Sequence, residues 1–126
     1  MQIKKAAFAL TLAAAALVGA GSTPASAHAV TPNGNVYVYD RAEQNGAYCA
    51  TGNNVYDYRY FPGCGDFNDR TSSAWNNGYA DSMPAVKFYT AMAYGGNFVV
   101  CLMDGDSVDY LGYDNQISSH RWASGC

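Results

Sequence analysis

The sequence predicts an all-β fold, a small sandwich made of two similar motifs and tied by disulfides. Three observations carry that expectation. Val, Tyr, Phe and Leu gather in short bursts separated by Gly, Asn, Asp and Pro, the pattern of short strands joined by turns. The same landmarks occur twice in the same order. Four cysteines fall in the last hundred residues, an even number in a segment too short to bury a large core.

The chain opens on Lys4 and Lys5, and an apolar run from Ala6 to Val18 follows. Gly19, Gly21, Pro24 and the tripeptide Ala25-Ser26-Ala27 come next. This is the charged, apolar and small-residue order of a secretory signal peptide over residues 1–27, with cleavage expected after Ala27. The run is too short to span a bilayer, which takes about 20 apolar residues. The expected product is a secreted, extracellular domain from His28 to Cys126. It keeps five basic residues against ten acidic ones, a formal charge of −5 where the whole chain carries −3. That balance argues against nucleic acid or an anionic membrane as a partner and suits a cation.

The bursts that predict strands are Val36–Tyr39, Val55–Phe61, Val86–Tyr89 and Phe98–Leu102. Eleven tyrosines fit half-buried strands, where the ring packs and the hydroxyl stays wet. Cys49, Cys64, Cys101 and Cys126 read as two disulfides, with three pairings open. No C-x-x-C pair occurs and the histidines are His28 and His120, which sets a zinc site aside.

The repeat is more informative. Tyr39 and Tyr89 lie 50 residues apart, and so do Gly46 and Gly96. Each aromatic-to-glycine stretch suits a folded hairpin in which Gly supplies a positive φ and an aromatic covers the turn. The second copy, with Tyr89, Tyr94 and Gly96, is complete. The first has Gln44 where the second has Tyr94, which predicts a weaker cover. Further on, Asn68-Asp69-Arg70-Thr71-Ser72-Ser73 answers to Asp114-Asn115-Gln116-Ile117-Ser118-Ser119. Amide, carboxylate, hydroxyl and carbonyl oxygens are the hard ligands that Ca²⁺ prefers. With one carboxylate in each stretch, modest affinity and ligands shared between the copies are expected.

At these residues the chain resembles the βγ-crystallin superfamily, through Y-x-x-x-x-Y-x-G at Tyr89–Gly96, its partner at Tyr39–Gly46, and both double-serine stretches. The resemblance implies two Greek-key motifs, one at about 35–80 and one at about 85–126, paired into a sandwich. It also implies two reciprocal calcium clamps, hence about two Ca²⁺ ions. Carried over by position, Asp69 and Asn115 contribute side chains, Arg70 and Gln116 carbonyls, and Ser72 and Ser118 hydroxyls across the pair. A further carbonyl falls near Glu43 and Ala93. The repeat then favours Cys49 with Cys64 and Cys101 with Cys126, each within one motif.

A narrower resemblance, resting on the export signal, the double repeat, the cysteines and the phrase at Phe67–Ser73, is to the bacterial secreted crystallin-like peptidase inhibitors. It implies an extracellular metalloproteinase as partner of a monomeric, non-enzymatic domain. The alternatives are a calcium-stabilised structural or stress protein and a killer-toxin-like antimicrobial. No catalytic set emerges from the residues. Asp104-Gly105-Asp106 lacks the terminal Glu of an EF-hand and reads as a turn before a strand. Glu43 is the only Glu, and nothing singles out a carboxylate pair for glycoside hydrolysis. His120, directly after the double serine, reads as a packing or surface residue rather than a triad base. Trp75 and Trp122 read as packing residues.

Overall fold

The computed structural model describes residues 31–126; the proposed signal peptide at 1–27 and His28 lie outside them. Strand β1 (Asn35–Arg41) buries Val36 and Val38 and turns Tyr37 and Tyr39 to the opposite face, as the two-residue period of a strand requires. A tight hairpin joins it to β2 (Asn45–Thr51), and β3 (Ser73–Asn77) pairs along its other edge. The second motif repeats this with β4 (Ala85–Ala91), β5 (Gly95–Leu102) and β7 (Ser119–Ala123), where Val86 and Phe88 point inward. Between β5 and β7 lies the two-residue β6 (Ser107–Val108). One antiparallel sheet runs β2-β1-β3-β6 and the other β5-β4-β7.

The crossovers make the motifs Greek keys. β6 belongs to the second motif in sequence yet pairs with β3 of the first, Ala74 facing Val108. In return, Val55 of the first motif bridges to His120 of β7. The core between the sheets is drawn from both motifs: Val36, Val38, Val55, Tyr58 and Phe67 meet Val86, Phe88, Leu102, Leu111 and Ile117. Each such side chain contributes about 1.5–3 kcal/mol on burial. The disulfides are Cys49–Cys64 and Cys101–Cys126, the within-motif pairing. Asp104–Gly105 is a turn ahead of β6.

One expected strand is absent. Val55–Phe61 has a single bridge at Val55 and then a 3-10 turn at Tyr58–Tyr60. Asp57 caps that turn by accepting the Arg59 N–H at 3.1 Å and pairing with its guanidinium at 2.7 Å. A local Asp cap competes with the sheet ladder for the backbone. Tyr58 is then fully buried while Tyr56 and Tyr60 stay exposed, so a turn produces the alternation that a strand would show.

Candidate functional site

Each double serine sits where a loop enters a strand, Ser72 before β3 and Ser118 before β7. Adjacent residues of an extended chain point to opposite sides, and the two serines of each pair have different partners. The second serine is fully buried. Ser73 Oγ accepts the Gln44 N–H at 2.9 Å and donates to the Arg41 carbonyl at 2.6 Å. Ser119 Oγ accepts the Tyr94 N–H at 3.1 Å and donates to the Ala91 carbonyl at 2.6 Å. Each of these serines therefore braces the folded hairpin of its own motif. Sequence reading missed this division of labour; its signal was the recurrence of both serines, not one.

The braced hairpins carry Glu43 and Gln44 at φ 59° and 56°, and Ala93 and Tyr94 at φ 60° and 60°. Four consecutive-pair residues in the left-handed region, matched between the motifs, mark a tightly determined backbone. The Glu43 N–H donates to the Asp109 carbonyl (2.9 Å) and the Ala93 N–H to the Tyr56 carbonyl (2.8 Å). Gln44 departs from the aromatic pattern without loosening its turn, correcting the expectation of a weaker cover. Its Nε2 donates to the Val108 carbonyl at 2.9 Å, whereas Tyr94 packs its ring against Tyr89 and Tyr56.

The first serine of each pair faces the other motif. Ser72 Oγ lies 3.3 Å from Asn115 Oδ1, and Ser118 Oγ lies 3.2 Å from Asp69 Oδ1. The backbones cross in the same reciprocal way, with the Asn115 N–H on the Thr71 carbonyl (2.9 Å) and the Asp69 N–H on the Ile117 carbonyl (3.0 Å). Asp69 and Asn115 share positive φ values of 54° and 60°. Arg70 and Gln116 follow in matching turns, their N–H groups donating to Phe67 and Tyr113 carbonyls at 3.2 Å each. Ser72, Ser118, Asp69 and Asn115 are thus brought together as two oxygen pairs related by a pseudo-twofold axis. Glu43 and Ala93 stand at the hairpins braced by the neighbouring serines.

The two loops differ in charge. Arg70 pairs with Asp40 at 3.0 Å beside the Asp69 loop. A cleft of about 340 Å³ opens at the other, lined by Arg41, Ala42, Ser72, Tyr110, Leu111 and Asp114. At its rim the Tyr110 hydroxyl donates to Glu43 Oε2, and this hydrogen bond raises the Tyr110 pKa. Among the described residues no three His, Cys, Asp or Glu side chains gather, so the donors here are hydroxyl, amide and single carboxylate oxygens. That set fits a hard cation such as Ca²⁺ rather than zinc. Asn68 Oδ1 and Thr71 Oγ1 in the same loop are buried with no hydrogen-bond partner among the described residues, as a loop shaped around a further polar ligand would leave them.

His120 is fully buried rather than a surface residue. Its Nε2 lies 2.9 Å from the Asn53 carbonyl and its Nδ1 meets the Tyr58 hydroxyl. Burial pushes its pKa down to about 4. Among the described residues the hydrogen-bond partners of its ring are Tyr58 and Asn53.

Comparison with solved structures gives the same architecture. A domain described in connection with the evolution of the eye-lens βγ-crystallin fold is 26% identical, covering 72% of this chain and 86% of its own, at TM-score 0.59. The βγ-crystallin of Ciona intestinalis is 17% identical over 71% of this chain and 99% of its own, at TM-score 0.56. A βγ-crystallin domain of Clostridium beijerinckii, a double mutant, is 18% identical over 71% and 97%, also at 0.56. No protein-family model matches the chain, and no curated protein matches it. Residues 31–126 have the βγ-crystallin fold.

Proposed function

We propose that this is a secreted, non-enzymatic βγ-crystallin-like domain that binds about two Ca²⁺ ions and acts by binding. The observation that carries the reading is the reciprocal pairing of Ser72 with Asn115 and Ser118 with Asp69. Hydroxyl oxygens of one motif meet a carboxylate or amide oxygen of the other, each carried on left-handed backbone at Asp69 and Asn115. Asp69, Asn115, Ser72 and Ser118 would hold the ions by side chain, and Arg70 and Gln116 by carbonyl, with Glu43 and Ala93 as added carbonyl donors. Bound calcium would supply charge that crosslinks the two motifs. The paired disulfides support an oxidising, extracellular setting, and no helix among the described residues is long and apolar enough to cross a membrane.

Calorimetry of the protein against Ca²⁺ tests this. Binding should weaken at least about tenfold when Ser72 and Ser118 are changed to Ala, and Ca²⁺ at 100 times Kd should add about 2.7 kcal/mol of stability. A melting temperature indifferent to millimolar Ca²⁺ would rule the clamps out. Inhibition of an extracellular metalloproteinase is the partner-level proposal, resting on the resemblance at Phe67–Ser73. Titration of secreted metalloproteinases with the protein checks it, and undiminished activity at micromolar protein would leave the structural or antimicrobial readings in its place.

A further inference from the structure

Because the two motifs share one plan, each outward cross-strand pair of the first has a counterpart in the second. Tyr39 opposite Tyr48 answers to Tyr89 opposite Phe98. Both are outward aromatic pairs, with ring centroids 5.9 and 6.0 Å apart. The adjacent outward position breaks the pattern. In the first sheet Tyr37 faces Trp75 and the rings stack at 5.1 Å. In the second, Lys87 faces Arg121.

Like charges directly opposite one another in an antiparallel pair are destabilising, and the first motif shows that the fold accepts a neutral aromatic pair there. Neither cation has an ion-pair partner among the described residues. Among the described residues the side-chain ion pairs are Arg59–Asp57 and Arg70–Asp40, although the chain carries ten acidic residues. Arg121 is instead held over the rings of Tyr89 and Tyr94, 5.9 and 5.5 Å from their centroids. Phe98 and Tyr56, which pack edge-on against Tyr89 and Tyr94, are 52% and 57% exposed.

We propose that the outer face of the β5-β4-β7 sheet docks an acidic polypeptide segment, with a carboxylate seated between Lys87 and Arg121. The guanidinium fork matches a carboxylate, and its place on the rings orients it in advance. Arg and Tyr are the residue types that dominate binding energy at protein interfaces. Phe98 and Tyr56 add apolar surface beside the charge, and a neighbouring aromatic or aliphatic side chain of a peptide buries more apolar area there than the face of a hydrated sugar acid does. On a domain with five basic residues against ten acidic ones, two adjacent cations on one sheet face give an acidic partner a local attraction against a repulsive net field. Neither cation lies in the calcium loops, although Arg121 rests on Tyr94 of the hairpin that also carries Ala93.

Fluorescence anisotropy tests it, with a fluorescein-labelled Glu/Phe peptide, the same peptide carrying Gln for Glu, and polygalacturonate as an anionic sugar polymer. The Glu peptide should bind at low salt, and Lys87→Gln with Arg121→Gln should weaken it by about tenfold or more. The Gln peptide should bind as weakly to the unmodified protein. Lys87→Tyr with Arg121→Trp, the pair the first motif already uses, should also abolish binding while the melting temperature holds or rises. No binding of the Glu peptide, equal binding of the Gln peptide, or tighter binding of polygalacturonate would each overturn the proposal. So would a fall in melting temperature in both double variants, which would make the cations structural.

Discussion

A buried histidine that is neutral by construction ties acid stability to one side chain. The Nε2–H of His120 donates to the Asn53 carbonyl and Nδ1 accepts the Tyr58 hydroxyl, so the neutral ring has both nitrogens satisfied. Burial lowers its pKa from 6.5 to about 4, against a smaller opposing effect of the Asn53 bond. A folded-state pKa below the unfolded one means that the unfolded chain takes up the proton first. The contribution is therefore present in full above pH 6.5 and is lost as pH falls toward 4, amounting to about 3 kcal/mol. Urea melts across that window should show the loss, and His120→Gln should flatten the slope while lowering stability at neutral pH. The serines make a second contrast at this scale. Ser73→Ala should cost about 1–3 kcal/mol because the Gln44 N–H and Arg41 carbonyl lose their partner. Ser72→Ala should change calcium-free stability little. Melts of both variants with and without Ca²⁺ separate brace from ligand. The double serines were legible as a unit; which serine faces the hairpin depends on strand pairing, which residue types do not encode.

Hairpins show how far a local pattern can be read. Gly96 has φ +69°, and a Cβ there would come within 2.5 Å of Thr90 Oγ1 and 3.0 Å of the Ala91 Cβ. Gly96→Ala should cost about 1–3 kcal/mol, checked by thermal melting, because both the conformation and the space exclude a side chain. The spacing of Tyr89, Tyr94 and Gly96 makes this element legible in the sequence. It could not disclose that Gln44 holds the equivalent turn through the Val108 carbonyl, since that acceptor is contributed by the other motif. The Val55–Phe61 segment failed for a related reason. Its aromatic content is strand-like, but Asp57 and the Pro62-Gly63 pair act on the backbone directly and outweigh propensity.

Across the whole molecule, both disulfides close loops within a motif, at sequence separations of 15 and 25. Loops of that size gain roughly 2–4 kcal/mol from closure, so reduction should lower the urea midpoint, and more so for a domain this small. Neither bridge joins one motif to the other. That task falls to the shared core and to the reciprocal loops, which is why a cation held between Ser72 and Asn115 or between Ser118 and Asp69 would act on global stability rather than on one loop. The two-motif architecture was legible because the repeat is in register at four landmarks. The Lys87–Arg121 pair was not, because its significance lies in what the other motif places at the same position.

The exchange of segments between sheets has a topological consequence. Val108 completes the edge of β3, and Val55 reaches β7, so neither motif owns all of its backbone partners. In effect the domain is built like two protomers fused end to end through the loop that Tyr79–Met83 occupies. Proteolytic nicking in that exposed loop should leave two fragments that stay associated under native conditions. A motif expressed alone should find its missing strand in a second copy of itself.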